Sequence, residues 1–187
     1  MSILVLGATG KTGRHTVEQL LKQNAEVKVI VRNADKLSIL KSNPNLHFTI
    51  GNVLDMNDTQ LKEVLTGVDT VISCLGHNLN MKDIFGKPHF LVSDSIKKIL
   101  DLGKSRGLQK FILMNTTGCI NRFEGETYTG AEKAVMKIMT VLLPPQKDNE
   151  LALAYLMQNY PEGKDTLEWS AVRPDTLIQE EAVTKYS

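Results

Sequence analysis

The stretch "ILVLGATGKTGRH", Ile3 to His15, decides how the rest of the chain is read. Four apolar residues break into three glycines spaced three apart, Gly7, Gly10 and Gly13, and polar residues follow. A short apolar run ending on glycine reads as a buried strand. Beyond it, Val17, Leu20 and Leu21 recur on one face between Thr12 and about Asn24, which reads as a helix. A strand that turns through glycines into a helix leaves unpaired amide N–H groups and the positive end of a dipole in the turn, and both favour a phosphate. Gly7 permits a turn that a side chain would block, Gly10 lets backbone approach a ligand, and Gly13 lets the helix pack on the strand. Thr9, Lys11 and Thr12 lie in the same turn. The spacing is GxxGxxG rather than GxGxxG, and no Lys-Ser/Thr pair follows the glycines at the needed spacing, so a P-loop is excluded.

Working outward, the alternation continues. "VKVIV", "LHFTI", "DTVISCL", "QKFILM" and "EWSAV" read as strands. Between them, "DTQLKEVL" reads as a helix with Asp58 as N-cap and an end near Gly67. "HFLVSDSIKKILDLGKSRG" reads as an amphipathic helix ended by Gly107. "TGAEKAVMKIM" reads as a helix whose capping box pairs Thr129 with Glu132, and "DNELALAYLMQN" as a further helix with Asp148 as a plausible cap. Buried strands alternating with helices predict an α/β fold: a doubly wound parallel sheet, Rossmann-type, in a three-layer sandwich with strand order 3-2-1-4-5-6. No repeat or linker interrupts residues 1–187, so one domain is expected.

Composition narrows the class. The 187 residues are 42% hydrophobic, and 22 basic side chains stand against 21 acidic ones, a formal net charge of +1. No broad basic surface exists for nucleic acid, so any anion site is local. Cys74 and Cys119 form no CxxC, and four scattered histidines form no metal pattern, which predicts a reduced intracellular protein without a metal. "AVMKIMTVLL" is cut by Lys137 and stopped by Pro144 and Pro145, so no membrane span is expected. With "SILVLG" at the amino end and no basic leader before it, the expected location is cytoplasmic.

The second strand bears on the choice of cofactor. A free ribose 2′-hydroxyl wants an acidic acceptor about 20 residues beyond the glycines. Here "VIVRNADK" places Arg32 at the strand end, with no carboxylate before Asp35. A guanidinium suits a 2′-phosphate, which it grips with two hydrogen bonds, and Lys11 and Arg14 add charge nearby. NADP is therefore expected over NAD.

With "GATGKTG", "VRN", "GNVLD", "VISCLG" and "VRPD" in this order, the chain resembles the atypical short-chain dehydrogenase/reductase superfamily. Its nearest look is to the NAD(P)H-binding group that includes NmrA-like proteins and biliverdin IXβ/flavin reductases. The resemblance implies that Asn52 and Val53 meet the adenine, Asn52 standing where relatives carry an acid. It implies that Leu75 and Gly76 pass the ribose and nicotinamide, that Thr116 lies beside the substrate, and that Asp175 and Thr176 lie near the carboxamide. Many relatives use a Tyr-x-x-x-Lys pair, four apart on one helical face. In "YTGAEK", Tyr128 and Lys133 are five apart, and the capping box places Tyr128 just before the helix. Thr116 and Tyr128 stand as the catalytic candidates, with water as the alternative proton source.

His77 and His89 are expected in a loop that lines the substrate pocket, Cys74 in a strand, and Trp169, Tyr155, Met136 and Met139 in packing roles. Two functions follow from the resemblance. One is an NADPH-dependent reductase that passes hydride to a small conjugated acceptor such as a flavin, a quinone or a tetrapyrrole. The other is an NmrA-like redox sensor that binds NADP without turnover. After "RPDTLI" the chain finishes with "QEEAVTKYS", where relatives continue with a further strand and helix. A partner subunit is one candidate for the missing wall, and monomer and homodimer stay open.

Overall fold

The computed structural model describes residues 1–77, 88–120, 125, 127–131, 133–135, 138, 143–161 and 167–174. Six strands pair side by side: β1 (Ser2–Leu6), β2 (Glu26–Val31), β3 (Leu46–Ile50), β4 (Thr70–Ser73), β5 (Lys110–Met114) and β6 (Glu168–Val172). All pairings are parallel, and the order is β3-β2-β1-β4-β5-β6, the expected doubly wound arrangement. Helices α1 (Lys11–Lys22), α2 (Asp58–Val64), α3 (Leu91–Gly103) and α4 (Pro144–Asn159) cover the faces.

The two-residue period of β1 feeds both cores, which is why this strand is apolar without alternation and buried throughout. Ile3 and Val5 pack with Val17 and Leu21 of α1 and with Val27 and Val29 of β2. Leu4 and Leu6 face the other way, toward Leu61 of α2, Ile96 and Ile99 of α3, Leu156 of α4 and Phe111 of β5. The order reverses between β1 and β4, so the carboxyl ends of these strands part around a crevice.

Several boundaries differ from expectation, each for a local reason. The N-cap of α2 is Asn57, not Asp58. Its side chain accepts from the Gln60 amide at 3.0 Å while the Gln60 side chain accepts from the Asn57 amide at 2.9 Å. That reciprocal pair satisfies two open donors, whereas Asp58 sits in the first turn, where its charge suits the dipole. The polar segment after β2 forms a 3-10 helix, Ala34–Leu40, that buries Leu37. Helix α4 begins at Pro144, because proline suits the first turn of a helix, so Asp148 lies inside it and does not cap it.

Cys74 lies just past β4 and is half-buried; Cys119 is buried. Backbone at 130–131, 133–135 and 138 is helical, but Val135 and Ile138 are more than half exposed. Glu132 of the expected capping box, Met136 and Met139 lie outside the described residues. Among the described residues no helix is long and apolar enough to cross a membrane, and no cluster of side chains is arranged to hold a metal.

Candidate dinucleotide-binding site

The glycine turn sits in the crevice at the end of β1. Gly7 has φ 71°, and a Cβ there would stand 2.5 Å from the Cys74 carbonyl oxygen and 2.9 Å from the Leu75 nitrogen. The left-handed backbone and this close approach both require glycine. Gly10 N–H donates to the Gly7 carbonyl at 2.9 Å, closing the turn. A Cβ on Gly13 would meet the Gly7 carbonyl oxygen at 2.2 Å, so the helix seats on the strand only because no side chain intervenes.

The state of each helix N-terminus decides where an anion would go. Helix α2 carries its Asn57–Gln60 box. In α3, which has no local cap, the Val92 and Ser93 amides donate to Asp148 at 2.7 and 2.9 Å. Helix α4 starts on two prolines, which have no N–H, and its Gln146 and Lys147 amides turn back to Leu143. Helix α1, like α4, has neither a side-chain cap nor an acidic residue in its first turn, but it does not begin on prolines, so its first amides keep their N–H groups. Its Gly10, Lys11, Thr12 and Gly13 backbone fits a diphosphate, with Thr9 and Thr12 half-buried beside it and Lys11 exposed.

Arg32 follows β2 directly and is exposed, with no hydrogen bond or ion pair to the described residues. Asp35, the nearest acid beyond it, pairs with Lys41 at 3.3 Å, and its backbone amide donates to the Asn33 side-chain oxygen at 2.7 Å. Hydrogen bonds from Asn33 and Lys41 hold its carboxyl below the usual range. Arg14 pairs with Glu18 at 2.9 Å and is thus partly neutralised along α1.

Asn52 is half-buried after β3; its side-chain nitrogen donates to Asp55 at 2.9 Å and its oxygen accepts from the Leu54 amide at 3.4 Å. Val53 is turned into the core beside Met56 and Leu61. Lys98 of α3 binds the carbonyls of Leu54 and Met56, which anchors this loop to the helix.

At the end of β4, Leu75 packs against the core, Gly76 is exposed, and His77 turns inward. His77 Nε2 lies 2.9 Å from Asp148 Oδ2, and the two side chains are 5% and 0% exposed. Burial pushes the Asp148 carboxyl up, but hydrogen bonds from His77 and from the α3 amides outweigh it and leave it below the usual carboxylate range. Nothing local in the sequence signals this pair, because its members are 71 positions apart.

At the end of β5, Thr116 is half-buried, and its hydroxyl oxygen accepts from the Gly118 amide at 3.2 Å. Its own amide donates to Asn115, whose side chain also reaches the Asn149 carbonyl at 3.2 Å and so ties the loop to α4. The Tyr128 hydroxyl donates to the Gly118 carbonyl, and Lys133 is exposed on the helical segment beyond. Arg173 of "VRPD" reaches back to the Cys119 carbonyl at 2.8 Å. Asp175 and Thr176 lie outside the described residues, as does most of the loop after His77. A cavity of about 310 Å³ opens between the β5 loop and α4, lined by Cys119, Tyr128, Lys147, Glu150, Leu151 and Met157. Burial pushes the Cys119 thiol up to about 12, so thiolate chemistry has no place there.

The structure thus gathers the three glycines and Leu75 into one backbone cluster at the strand crossover, with Arg32 beyond the end of the neighbouring strand. Tyr128 is engaged with the β5 loop.

Comparison with known proteins bears on the same crevice. Among curated relatives, the chain is 32% identical over 125 residues to the human sterol-4-alpha-carboxylate 3-dehydrogenase (decarboxylating), covering 65% of this chain and 30% of that protein. It therefore spans about a third of the length of that relative. Among solved structures, it superposes on the yeast methylglyoxal/isovaleraldehyde reductase Gre2 complexed with NADPH with a TM-score of 0.69. The identity is 17%, over 94% of this chain and 58% of that one. The anaerobillin reductase ChuY of Escherichia coli O157:H7 matches with a TM-score of 0.63 and 20% identity, over 93% and 72% of the two chains. At these identities the likeness shows a shared fold. A family model described as NAD(P)H-binding matches residues 7–187, beginning at the first glycine of the turn. With the strand order, the glycine turn and that match in agreement, the chain belongs to the NAD(P)H-binding family.

Proposed function

We propose that the protein is an NADPH-dependent reductase that passes hydride to a small conjugated acceptor: a flavin, a quinone or a tetrapyrrole-like ring. The observation that carries this reading is the uncapped start of α1, set in backbone contact with the end of β4 and flanked by Arg32, which pairs with none of the described residues. Gly10 to Gly13 would hold the diphosphate, Arg32 the 2′-phosphate, and the Asn52–Val53 loop the adenine. Asp35, already occupied by Lys41, offers no carboxylate to a free 2′-hydroxyl.

When bound, the nicotinamide supplies a hydride, and the protein's contribution is orientation more than acid–base chemistry. Thr116 would orient the acceptor at the end of β5, with the adjoining cavity offering it apolar walls and the charges of Lys147 and Glu150. The Tyr128 hydroxyl is committed to the Gly118 carbonyl, so the completing proton is assigned to water. That two reductases share this fold supports the reading.

The same engaged tyrosine favours the second reading, a sensor that binds NADP without turnover. Steady-state NADPH oxidation with a panel of flavins and quinones separates the two: binding without turnover under every acceptor supports the sensor. The cofactor assignment is tested by measuring NADPH and NADH affinities for the parent and Arg32→Ala. Removing a charged, bidentate clamp weakens NADPH by roughly 1.5–3 kcal/mol and leaves NADH little changed. Equal affinities in the parent would defeat the preference for NADP while leaving the fold intact.

A further inference from the structure

His77 and Asp148 stand outside the groups that would touch the dinucleotide, yet both side chains are nearly or wholly enclosed. A buried polar pair is weak evidence for stability, because desolvation offsets most of its attraction. Its placement suggests another use. Asp148 lies on α4 and takes the two α3 amides as well as His77, so it is fixed from two helices at once. His77 follows Cys74 and Leu75 by only a few residues, and those two form the backbone seat of Gly7. The seat is fixed on its sheet side by the Cys74 amide, which donates to the Leu6 carbonyl at 2.9 Å. On its other side, the inward-turned His77 side chain reaches Asp148.

We propose that His77 and Asp148 are a positioning pair for the dinucleotide. Asp148, held by the first turn of α3, holds His77, and His77 sets the Leu75–Gly76 backbone against which the glycine turn rests. The inference rests on the dinucleotide reading above and adds residues that act through the backbone without contacting the cofactor. Because His77 follows β4 while Arg32 follows β2, with β1 between those strands, the pair acts on NADPH and NADH alike.

The test uses the full chain and measures dissociation constants for NADPH and NADH by calorimetry, with thermal unfolding in parallel. His77→Leu is expected to weaken both dinucleotides on the order of tenfold, the loss of one charge-assisted hydrogen bond, with their affinity ratio unchanged. His77→Gln, whose side-chain amide can donate to Asp148, recovers most of that loss. Tyr155→Phe is the matched control: it cuts the 2.7 Å hydrogen bond from Tyr155 to Asp101 at the other end of the same two helices. It is expected to leave both affinities as they are.

Parent-like affinity in His77→Leu overturns the proposal. So does a loss that Tyr155→Phe reproduces, or one that His77→Gln does not relieve. If His77→Leu does not fold, His77→Asn, whose shorter amide falls short of Asp148, is measured in its place with the same expectation. A parent chain that binds neither dinucleotide overturns the functional reading itself, a result distinct from a binding parent with indifferent variants.

Discussion

At the scale of single residues, Gly13 bears the tightest steric demand in the site. Its missing side chain is what allows α1 to approach the Gly7 carbonyl, and a methyl group there meets backbone, which cannot swing aside. Gly13→Ala is therefore expected to destabilise the fold by about 1–3 kcal/mol, the usual range for overpacking. The same shift lifts the first turn of α1 off the strand, so affinity for NADPH and NADH falls together. Chemical denaturation beside calorimetric titration checks both. A variant that keeps parent-like stability and binding would show that the turn is looser than its geometry implies. Arg32 makes the opposite case: being exposed, it is expected to matter hardly at all to the fold, while the proposed reading gives it the choice of cofactor.

At the scale of elements, helix ends are the reason the crevice at the start of α1 is the proposed dinucleotide site. The starts of α2, α3 and α4 are already satisfied by Asn57 and Gln60, by Asp148 and by prolines, while that of α1 is left open. The cap on α3 also makes a pH prediction. The folded Asp148 carboxyl titrates below its unfolded value, so below about pH 4 the unfolded chain binds the extra proton. The stability it contributes is present in full above that pH and is lost as pH falls through the lower, folded value. Asp148→Asn is expected to melt below the parent at pH 7, with the gap closing as pH falls toward 3. Melting temperatures of both proteins across that range test it, and a gap that widens on acidification would contradict the assignment. His77 faces the same carboxylate, so the series is read beside His77→Gln.

At the scale of the whole molecule, the second core joins α2, α3 and α4 to β1, β4 and β5. Phe111 of β5 is fully buried within it. Phe111→Ala is expected to lower unfolding stability by about 3–5 kcal/mol, as a large aromatic deletion in a packed core does. Denaturant titration reads the loss, and a change under 1 kcal/mol would mean that the site collapses around the missing ring. The run of strands and the glycine turn were legible in the sequence because each is a local matter, and the sheet order followed because right-handed crossovers leave a chain of alternating strands and helices few arrangements. Two-residue and 3.6-residue periods and glycine's freedom act over a few neighbours. The α4 start and the α3 cap were not legible. Asp148 reads locally as the cap of the helix that follows it, and only the packing of α4 on α3 reveals which amides it meets.

By itself, then, the order of residues determined six strands, their alternation with helices, and a turn that only glycines can make. Backbone sterics and hydrophobic periodicity decide those things within a dozen positions. The tertiary structure alone decided that Arg32 pairs with none of the described residues, that Tyr128 is engaged by the Gly118 carbonyl, and that His77 meets Asp148. Each of those depends on which groups are brought together across long stretches of chain, and burial and hydrogen bonding settle that only once the layers have packed.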